Sequence, residues 1–151
     1  MAIARGAGTE IIRCHHFEDI DNTRTTLIYG VQHHIYTVLS ITAACTNLQT
    51  ATNKCYLNIQ GYDAKATSSQ SGQLVRILNV HIADGETFVW NDKFSFNGHE
   101  PTGVSGAMDS IVKQDAIADQ GSSTPQYLKV TTTHASDSGH ISVTYIDQNN
   151  A

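Results

Sequence analysis

The side chains best suited to chemistry in this sequence are its eight histidines, four of which stand in adjacent pairs. The pairs are His15-His16 and His33-His34. Imidazoles bind metals and change charge near neutral pH, but adjacent residues of a β-strand point to opposite faces of a sheet. One pair on one strand therefore cannot chelate an ion. Because the sequence contains no H-x-H or H-E-x-x-H spacing, we expect polar core or surface histidines, with subunit contacts as the alternative, and no metal site.

Nucleophilic and acidic residues form no catalytic arrangement along the chain. Cys14 precedes His15, but neighbours on a strand face apart and cannot act as a nucleophile–base pair. Glu18, Asp19 and Asp21 fall in a predicted loop without the spacing of a calcium-binding EF-hand, which favours a solvated turn. No G-x-S-x-G turn is present. We therefore predict no catalytic, cofactor-binding or metal-binding residue, and no enzymatic activity.

Four aromatic residues form the most distinctive local cluster, and their alternation predicts one apolar plate on two short strands joined by residues 91–93. A core plug between two sheets is the favoured interpretation. A subunit-interface anchor and a carbohydrate-stacking platform are the alternatives, and the platform requires a solvent-exposed Trp90. The cluster consists of Phe88, Trp90, Phe94 and Phe96.

Three cysteines are present, at Cys14, Cys45 and Cys55, with no C-x-x-C spacing. An odd number without paired spacing is typical of buried reduced thiols that behave as small hydrophobic residues. A bridge between Cys45 and Cys55 across a hairpin is the alternative, but it is unusual in a reducing compartment.

Composition favours one globular domain in a chain of 151 residues, of which 40% are hydrophobic. The net charge of −5 comes without a basic stripe, so we expect no direct contact with nucleic acid. No apolar run approaches the roughly 20 residues of a membrane helix, and residues 1–8 lack a signal-peptide pattern. We therefore expect no membrane partner and assembly in a cytoplasm. The low charged fraction of 15% leaves neutral polar surface suited to protein contacts.

Short segments with a period of two dominate the sequence, which predicts half-buried β-strands. Residues 35–41 are rich in β-branched and aromatic types, with Leu39 and Ile41 predicted to face inward. Between residues 74 and 82 the alternation slips, which indicates either a bulge near Ile77 or a strand covered on both faces. The other predicted inward sets are Cys55, Leu57 and Ile59; Leu128, Val130 and Thr132; and Ile141, Val143 and Tyr145.

Turn residues separate these strands, and one segment has a helical period. Asp84-Gly85 and Asn97-Gly98 are both expected to supply a positive φ. Residues 136–139 are expected to join the last two strands as a hairpin. Apolar positions within residues 104–118 predict a short helix of about two to three turns. The pattern predicts an all-β antiparallel β-sandwich, jelly-roll or Ig-like, with one short helical insert. Residues 1–10 are expected to be an N-terminal arm and residues 11–151 the single domain.

Several of these strand sequences resemble those of small β-sandwich virion proteins of tailed, cyanophage-like bacteriophages. The similarity lies in IYTVLSIT at residues 35–42, YLNIQGYD at 56–63 and LNVHIADG at 78–85. It continues in YLKVT at residues 127–131 and ISVTYI at 141–146, so that it spans about residues 10 to 148. The predicted helix departs from the simplest members of this group.

The resemblance implies a structural protein of the virion, built into the particle in the host cytoplasm. We expect a capsid decoration, or cement, protein that stabilises a phage head through contacts with the major capsid protein or other virion proteins. The resemblance also favours a homo-oligomer, specifically a trimer. A neck, tail or fibre-associated protein is the alternative within the same class, and copy number distinguishes it. A carbohydrate-binding module that uses Trp90 is the alternative from a different class.

Overall fold

The computed structural model describes residues 8–61, 74–99, 110–112 and 124–149, and these residues are almost entirely β-structure. The strands form from segments in which polar and apolar residues alternate or β-branched residues are frequent. The all-β class predicted from the sequence is confirmed. The strands are β1 Thr9–Phe17, β2 Thr25–Tyr29, β3 His34–Asn47, β4 Cys55–Gln60, β5 Leu74–Val80, β6 Thr87–Trp90, β7 Phe94–Asn97, β8 Tyr127–Thr132 and β9 Ser138–Asn149.

The strands form two antiparallel sheets. The five-stranded sheet has the order β1-β9-β3-β6, and β7 also pairs with β3; the four-stranded sheet has the order β2-β8-β4-β5. Strands β6 and β7 lie one after the other along the same edge of β3. Most consecutive strands alternate between the sheets, which gives the strand order of a jelly roll and distinguishes between the two predicted sandwich types.

The connection at residues 136–139 is not a hairpin. Strand β8 pairs with β2 and β4, whereas β9 pairs with β1 and β3, so the chain changes sheets between them. The buried carboxylate of Asp137 holds this crossing by accepting hydrogen bonds from Asn53 Nδ2 at 2.6 Å and His134 N at 2.9 Å. Turn-forming residues are equally suited to both kinds of connection, which explains the wrong prediction.

The core lies between the inward faces of the two sheets. In β8 and β9 the predicted inward residues Leu128, Val130, Ile141, Val143 and Tyr145 are buried, the first two and Val143 completely, whereas the predicted Thr132 is only partly buried. Burial of each such side chain contributes about 1.5–3 kcal/mol to the hydrophobic stabilisation. Continuous apolar contact between the inward faces therefore holds the two sheets together.

Bulges account for the two irregular alternations. In β3 the buried phase runs through Tyr36 and Val38 and resumes at Ile41, because Leu39 has no partner in the register with β9. Leu39 was predicted to share the inward phase of Ile41, and this was wrong. In β5 the register with β4 skips Ile77, which confirms the bulge that the sequence indicated there.

The two predicted glycine turns differ in their backbone conformation. Gly85 has a φ of 77°, as expected, whereas Gly98 does not have a positive φ. Gly98 instead accommodates close contact between backbones: its N donates to His34 O at 2.7 Å, and its carbonyl accepts from Gln126 N at 2.8 Å. A Cβ at Gly98 would overlap the carbonyl of Val31. The absence of a side chain, and not a left-handed conformation, is the requirement here.

Most of the predicted helix, residues 104–118, lies outside the described residues. Within it, residues 110–112 are described, and Ile111 and Val112 have helical conformation with 74% and 78% exposure. The arm expected at residues 1–10 is described only from Gly8, and β1 begins at Thr9. Among the residues described, no helix has the length and apolarity needed to cross a membrane.

Candidate functional site

His15 and His16 both lie on β1, and His34 begins β3, so the histidines are on strands that are not neighbours because β9 runs between them. His33 precedes β3 in a turn with a φ of 63°, so the prediction that both members of this pair would lie on one strand was wrong. His15 faces inward, where Nδ1 donates to Leu27 O at 3.2 Å and Nε2 accepts from the Tyr145 hydroxyl at 3.3 Å. His16 is exposed on the opposite face. The prediction that this pair would split between faces is confirmed. Within the described ranges no three His, Cys, Asp or Glu side chains stand close enough together to hold a metal ion.

An ion-pair cluster joins β1, β9 and β3 at one end of the sandwich. Asp147 is only 4% exposed, and its two carboxylate oxygens accept hydrogen bonds from different strands. His34 Nδ1 donates to Oδ1 at 2.6 Å, and Arg13 Nε donates to Oδ2 at 2.8 Å. Burial alone would raise the pKa of Asp147, but the hydrogen bonds from His34 and Arg13 outweigh it and hold that pKa below its usual value. The cluster fixes the edge strand β1 to the sheet.

A second polar cluster lies on the outward face of β1 and β9. Cys14 Sγ is 3.6 Å from His16 Nε2, and His16 Nδ1 is 2.8 Å from Ser142 Oγ. Thr144 Oγ1 donates to Cys14 Sγ at 3.4 Å. Sequence reasoning tested Cys14 only against His15, its neighbour in sequence. The i, i+2 spacing of Cys14 and His16 is the signal that it missed, since such residues share one face of a strand.

Cys45 and Cys55 face one another across the sandwich. Cys45 belongs to β3 in the five-stranded sheet and Cys55 to β4 in the four-stranded sheet, so no hairpin joins them. Both are free thiols and line a cavity of about 40 Å³. Burial raises the pKa of Cys45, and it raises that of Cys55 to about 11. The prediction of buried thiols is correct for Cys45, Cys55 is partly buried against the core, and the prediction is wrong for Cys14, which is exposed.

The acidic loop after β1 has the geometry of a solvated turn. Glu18 and Asp19 are exposed, and Asp19 has a φ of 52°. Asp21 Oδ1 accepts from Thr23 N at 2.7 Å, which is a local turn hydrogen bond. Asp19 Oδ1 accepts from Ser138 Oγ at 3.3 Å, so Asp19 and Asp21 are directed to different partners.

The aromatic residues pack against the core, as the favoured interpretation predicted. Phe96 is buried, and Phe88, Trp90 and Phe94 are partly buried against the same core cluster. Trp90 and Phe94 meet edge to face with ring centroids 6.0 Å apart, and Trp90 Nε1 donates to the carbonyl of Asp92 at 2.5 Å. Trp90 is partly buried by this packing, whereas a sugar-stacking platform requires a solvent-exposed indole.

The four sheet edges differ in how they are protected from pairing with another chain. Native edges are commonly made short, bulged, interrupted or charged. Strand β2 has five residues and a register shift, β5 has the bulge at Ile77, and residues 91–93, with Lys93, interrupt the edge formed by β6 and β7. By contrast, β1 has nine residues in unbroken register with β9, and no described strand pairs with its outer edge.

The β1 edge also presents apolar surface. Ile12 is 70% exposed and Ile11 is 36% exposed. On the outward face the register places Ile12 beside Ile146 of β9, which is beside Thr37 of β3. We define the outer edge of β1 together with this row as the β1 edge. Its geometry suits the addition of a strand from another protein, in which main-chain hydrogen bonds supply affinity.

Comparisons with known proteins identify no relative by sequence: no family model and no curated protein matches the chain. Among solved structures, a chain of the Bacillus endospore appendages, a family of disulfide-linked pili, is 10% identical. It aligns with 100% of this chain and 97% of its own length, at a TM-score of 0.41. A chain of infectious bursal disease virus strain Gx is 8% identical with a TM-score of 0.37, covering 93% of this chain and 36% of that one. A chain of black queen cell virus is 10% identical with a TM-score of 0.26, covering 95% and 70%.

Proposed function

We propose that this chain is a structural protein that functions by being built into a virus particle through protein–protein contacts. The observation that carries the proposal is the β1 edge, which alone among the four described sheet edges has neither a bulge nor an interruption and is not short. Long open edges promote association with other chains, so soluble proteins rarely leave them unprotected. An edge of this kind is retained where a partner covers it.

The finer proposal is a capsid decoration protein of a tailed bacteriophage, with the major capsid protein or another virion protein as its partner. Support comes from the strand sequences that resemble small phage β-sandwich proteins, and from a jelly-roll strand order of the kind found in viral capsid domains. A fold does not determine a function, so the proposal has to be tested on virus particles and by substitution at the β1 edge.

Electron cryomicroscopy of particles that carry the gene for this chain tests the proposal by locating and counting its copies. Hundreds of copies on the icosahedral shell are expected for a decoration protein. A dozen or fewer copies at the portal or tail would replace the decoration role by a neck or tail role. Absence of the chain from purified particles would overturn both.

The contribution of the β1 edge is tested by Ile12→Lys. Ile12 is 70% exposed, so the substitution removes little core packing, while lysine on an edge strand opposes the addition of another strand. Val89→Lys is the matched control, because Val89 is 51% exposed on β6 at the opposite edge of the same sheet. Added to particles that lack the chain, Ile12→Lys should be incorporated far less than the wild type, and Val89→Lys as well as the wild type. Equal incorporation of both variants would remove the edge from the proposal.

A further inference from the structure

We infer that the β1 edge is occupied by β1 of a second copy of this chain, so that the two five-stranded sheets join across a two-fold axis. The inference rests on the proposed function and deepens it, because it names a second copy of this chain as the partner that covers the β1 edge and leaves contacts with other virion proteins to the remaining surfaces of the dimer. It follows from the long, unbroken β1, whose outer edge pairs with no other described strand, from the spacing of its side chains about Arg13, and from the way in which Asp147 neutralises Arg13.

Sheet geometry restricts the registers that are available. When two copies of a strand pair about an axis perpendicular to the sheet, directly opposite residues must lie on the same face. The register centred on Arg13 meets this condition and gives every residue from Glu10 to His16 a partner. Registers centred further along the strand in either direction leave some of these residues unpaired. The unbroken pairing of β1 with β9 shows that the strand has the regular backbone that such pairing needs.

The outward face of β1 is self-complementary in this register. Glu10 and His16 are both exposed on that face, and each would lie opposite the other residue of the second copy. Ile12 and Cys14 would likewise lie opposite one another, next to the two-fold axis. A carboxylate opposite an imidazole that can donate a hydrogen bond to it, and an apolar side chain opposite a thiol, both favour pairing across two strands. The face thus meets its own copy with a carboxylate against an imidazole at each end and with Ile12 against the Cys14 thiol on each side of the axis.

The inward face contains one feature that would oppose self-pairing, because the two copies of Arg13 would lie opposite each other. Inward-pointing charges are one of the devices that protect edges. Here Arg13 Nε donates to Asp147 Oδ2 at 2.8 Å, and Asp147 belongs to the adjacent strand β9. The guanidinium is therefore held by a carboxylate of its own sheet, and the pair has no net charge. The local repulsion at the two-fold axis is reduced accordingly.

Sedimentation velocity of the full-length chain between about 1 and 200 µM tests the inference, since small interfaces dissociate within this range. We expect a reversible dimer with twice the 16.4 kDa mass of the chain. Ile12→Lys should weaken dimerisation at least tenfold, because the change is made twice in each dimer, while Val89→Lys should leave it unchanged. A monomer throughout the range, or equal effects of the two variants, would overturn the inference. A trimer, which the sequence resemblance implies, would also overturn it, because antiparallel self-pairing is a closed two-fold contact.

The register is tested by cross-linking through Cys14. In the register centred on Arg13 the two Cys14 side chains are diagonal neighbours, about 7–8 Å apart. A bismaleimide that spans about 8 Å should therefore give a covalent dimer, and Cys14→Ser should abolish it. A dimer that this reagent does not cross-link would place the contact elsewhere and overturn the inference.

The two proposals fail in distinguishable ways. A chain that is monomeric in solution but is counted on the particle retains the proposed function and loses the second copy as the partner. A cross-linked dimer that is absent from purified particles retains the second copy as the partner and overturns the proposed function.

Discussion

Removal of the Asp147 carboxylate tests the role of the ion-pair cluster in holding β1 to the sheet. The substitution Asp147→Ala takes away the hydrogen bonds that the carboxylate accepts from His34 Nδ1 at 2.6 Å and from Arg13 Nε at 2.8 Å. A hydrogen bond to a charged group contributes about 1.5–3 kcal/mol where water cannot replace it. The Arg13 side chain is 43% exposed and regains water, whereas the His34 side chain is 18% exposed and regains less. The expected loss is therefore about 2–3 kcal/mol in the free energy of unfolding, below the sum of two full bonds.

Urea unfolding monitored by circular dichroism at pH 7 measures this loss, and thermal unfolding should show a Tm lower by about 5–10 °C. Asp92→Ala is the control, because Asp92 is exposed in the interruption between β6 and β7 and should change stability by less than about 0.5 kcal/mol. A loss below about 1 kcal/mol for Asp147→Ala would refute the assignment of a stabilising role to the cluster.

The pH dependence gives a second test of the same reasoning. The pKa of Asp147 is lower in the folded protein than its usual value, because the hydrogen bonds outweigh the effect of burial. A carboxylate with a depressed pKa stabilises the fold fully above the usual carboxyl pKa and loses that contribution as the pH falls through the folded value. The contribution of the Asp147 carboxylate to the difference between wild type and Asp147→Ala should therefore shrink as the pH falls below about 4. A difference that persists at lower pH would contradict the ionic explanation.

Other described sites lead to three shorter predictions. Gly98→Ala should lower the free energy of unfolding by about 3 kcal/mol in urea titrations, because the new Cβ overlaps a backbone carbonyl; an effect below about 1 kcal/mol would contradict it. In the native protein a maleimide should modify Cys14 rapidly, whereas Cys45 and Cys55, whose pKa values are raised by burial, should react only after unfolding; mass spectrometry of labelled peptides distinguishes them. The fluorescence of Trp90 should shift to longer wavelength on unfolding and remain unchanged when glycans are added, because the indole packs against the core. A glycan-dependent shift would restore the sugar-binding alternative.

Features that depend on one strand at a time could be predicted from the sequence. The inward phases of β8 and β9 follow from a period of two, and the slip near Ile77 located a bulge before any pairing was known. Features that depend on how two strands pair could not be predicted from the sequence. The bulge at Leu39 appears in the register between β3 and β9, and nothing in residues 35–41 alone shows which residue will lack a partner. The change of sheet at residues 136–139 is similarly a property of topology and not of turn composition.

The contacts of the candidate site also divide into those that the sequence could predict and those that it could not. Cys14 and His16 share a face because of their spacing, so the sequence contained that information even though their pairing was overlooked. By contrast, Arg13 and Asp147 are 134 positions apart, and His34 and Asp147 are 113 apart. Only the placement of β9 between β1 and β3 brings these three residues together. No local pattern predicts such contacts, because the energy that selects them is shared over whole strand pairs.

The neutralisation of Arg13 connects the stability of the fold with the β1 edge, and this connection leads to a last prediction. If Asp147 neutralises Arg13 beside the two-fold axis, Asp147→Ala should weaken dimerisation as well as folding, because the two guanidinium groups would then face each other without their carboxylates. Asp137→Ala is the matched comparison: Asp137 is also 4% exposed and hydrogen-bonded, but it lies at the crossing between β8 and β9. Burial alone would raise the pKa of Asp137, but its hydrogen bonds hold it below its usual value, so this variant should lose comparable stability.

Sedimentation velocity of both variants under folding conditions measures the difference. The dimer of Asp137→Ala should dissociate at the same concentration as the wild type, and that of Asp147→Ala at a concentration at least several-fold higher. Equal dissociation constants would show that Arg13 does not act at the edge and that its ion pair serves the fold alone. If both variants dimerise more weakly, general destabilisation of the fold disturbs the contact. An effect of charge at the edge would weaken the dimer of Asp147→Ala alone. The comparison therefore separates an effect of electrostatics at one strand from an effect of global stability.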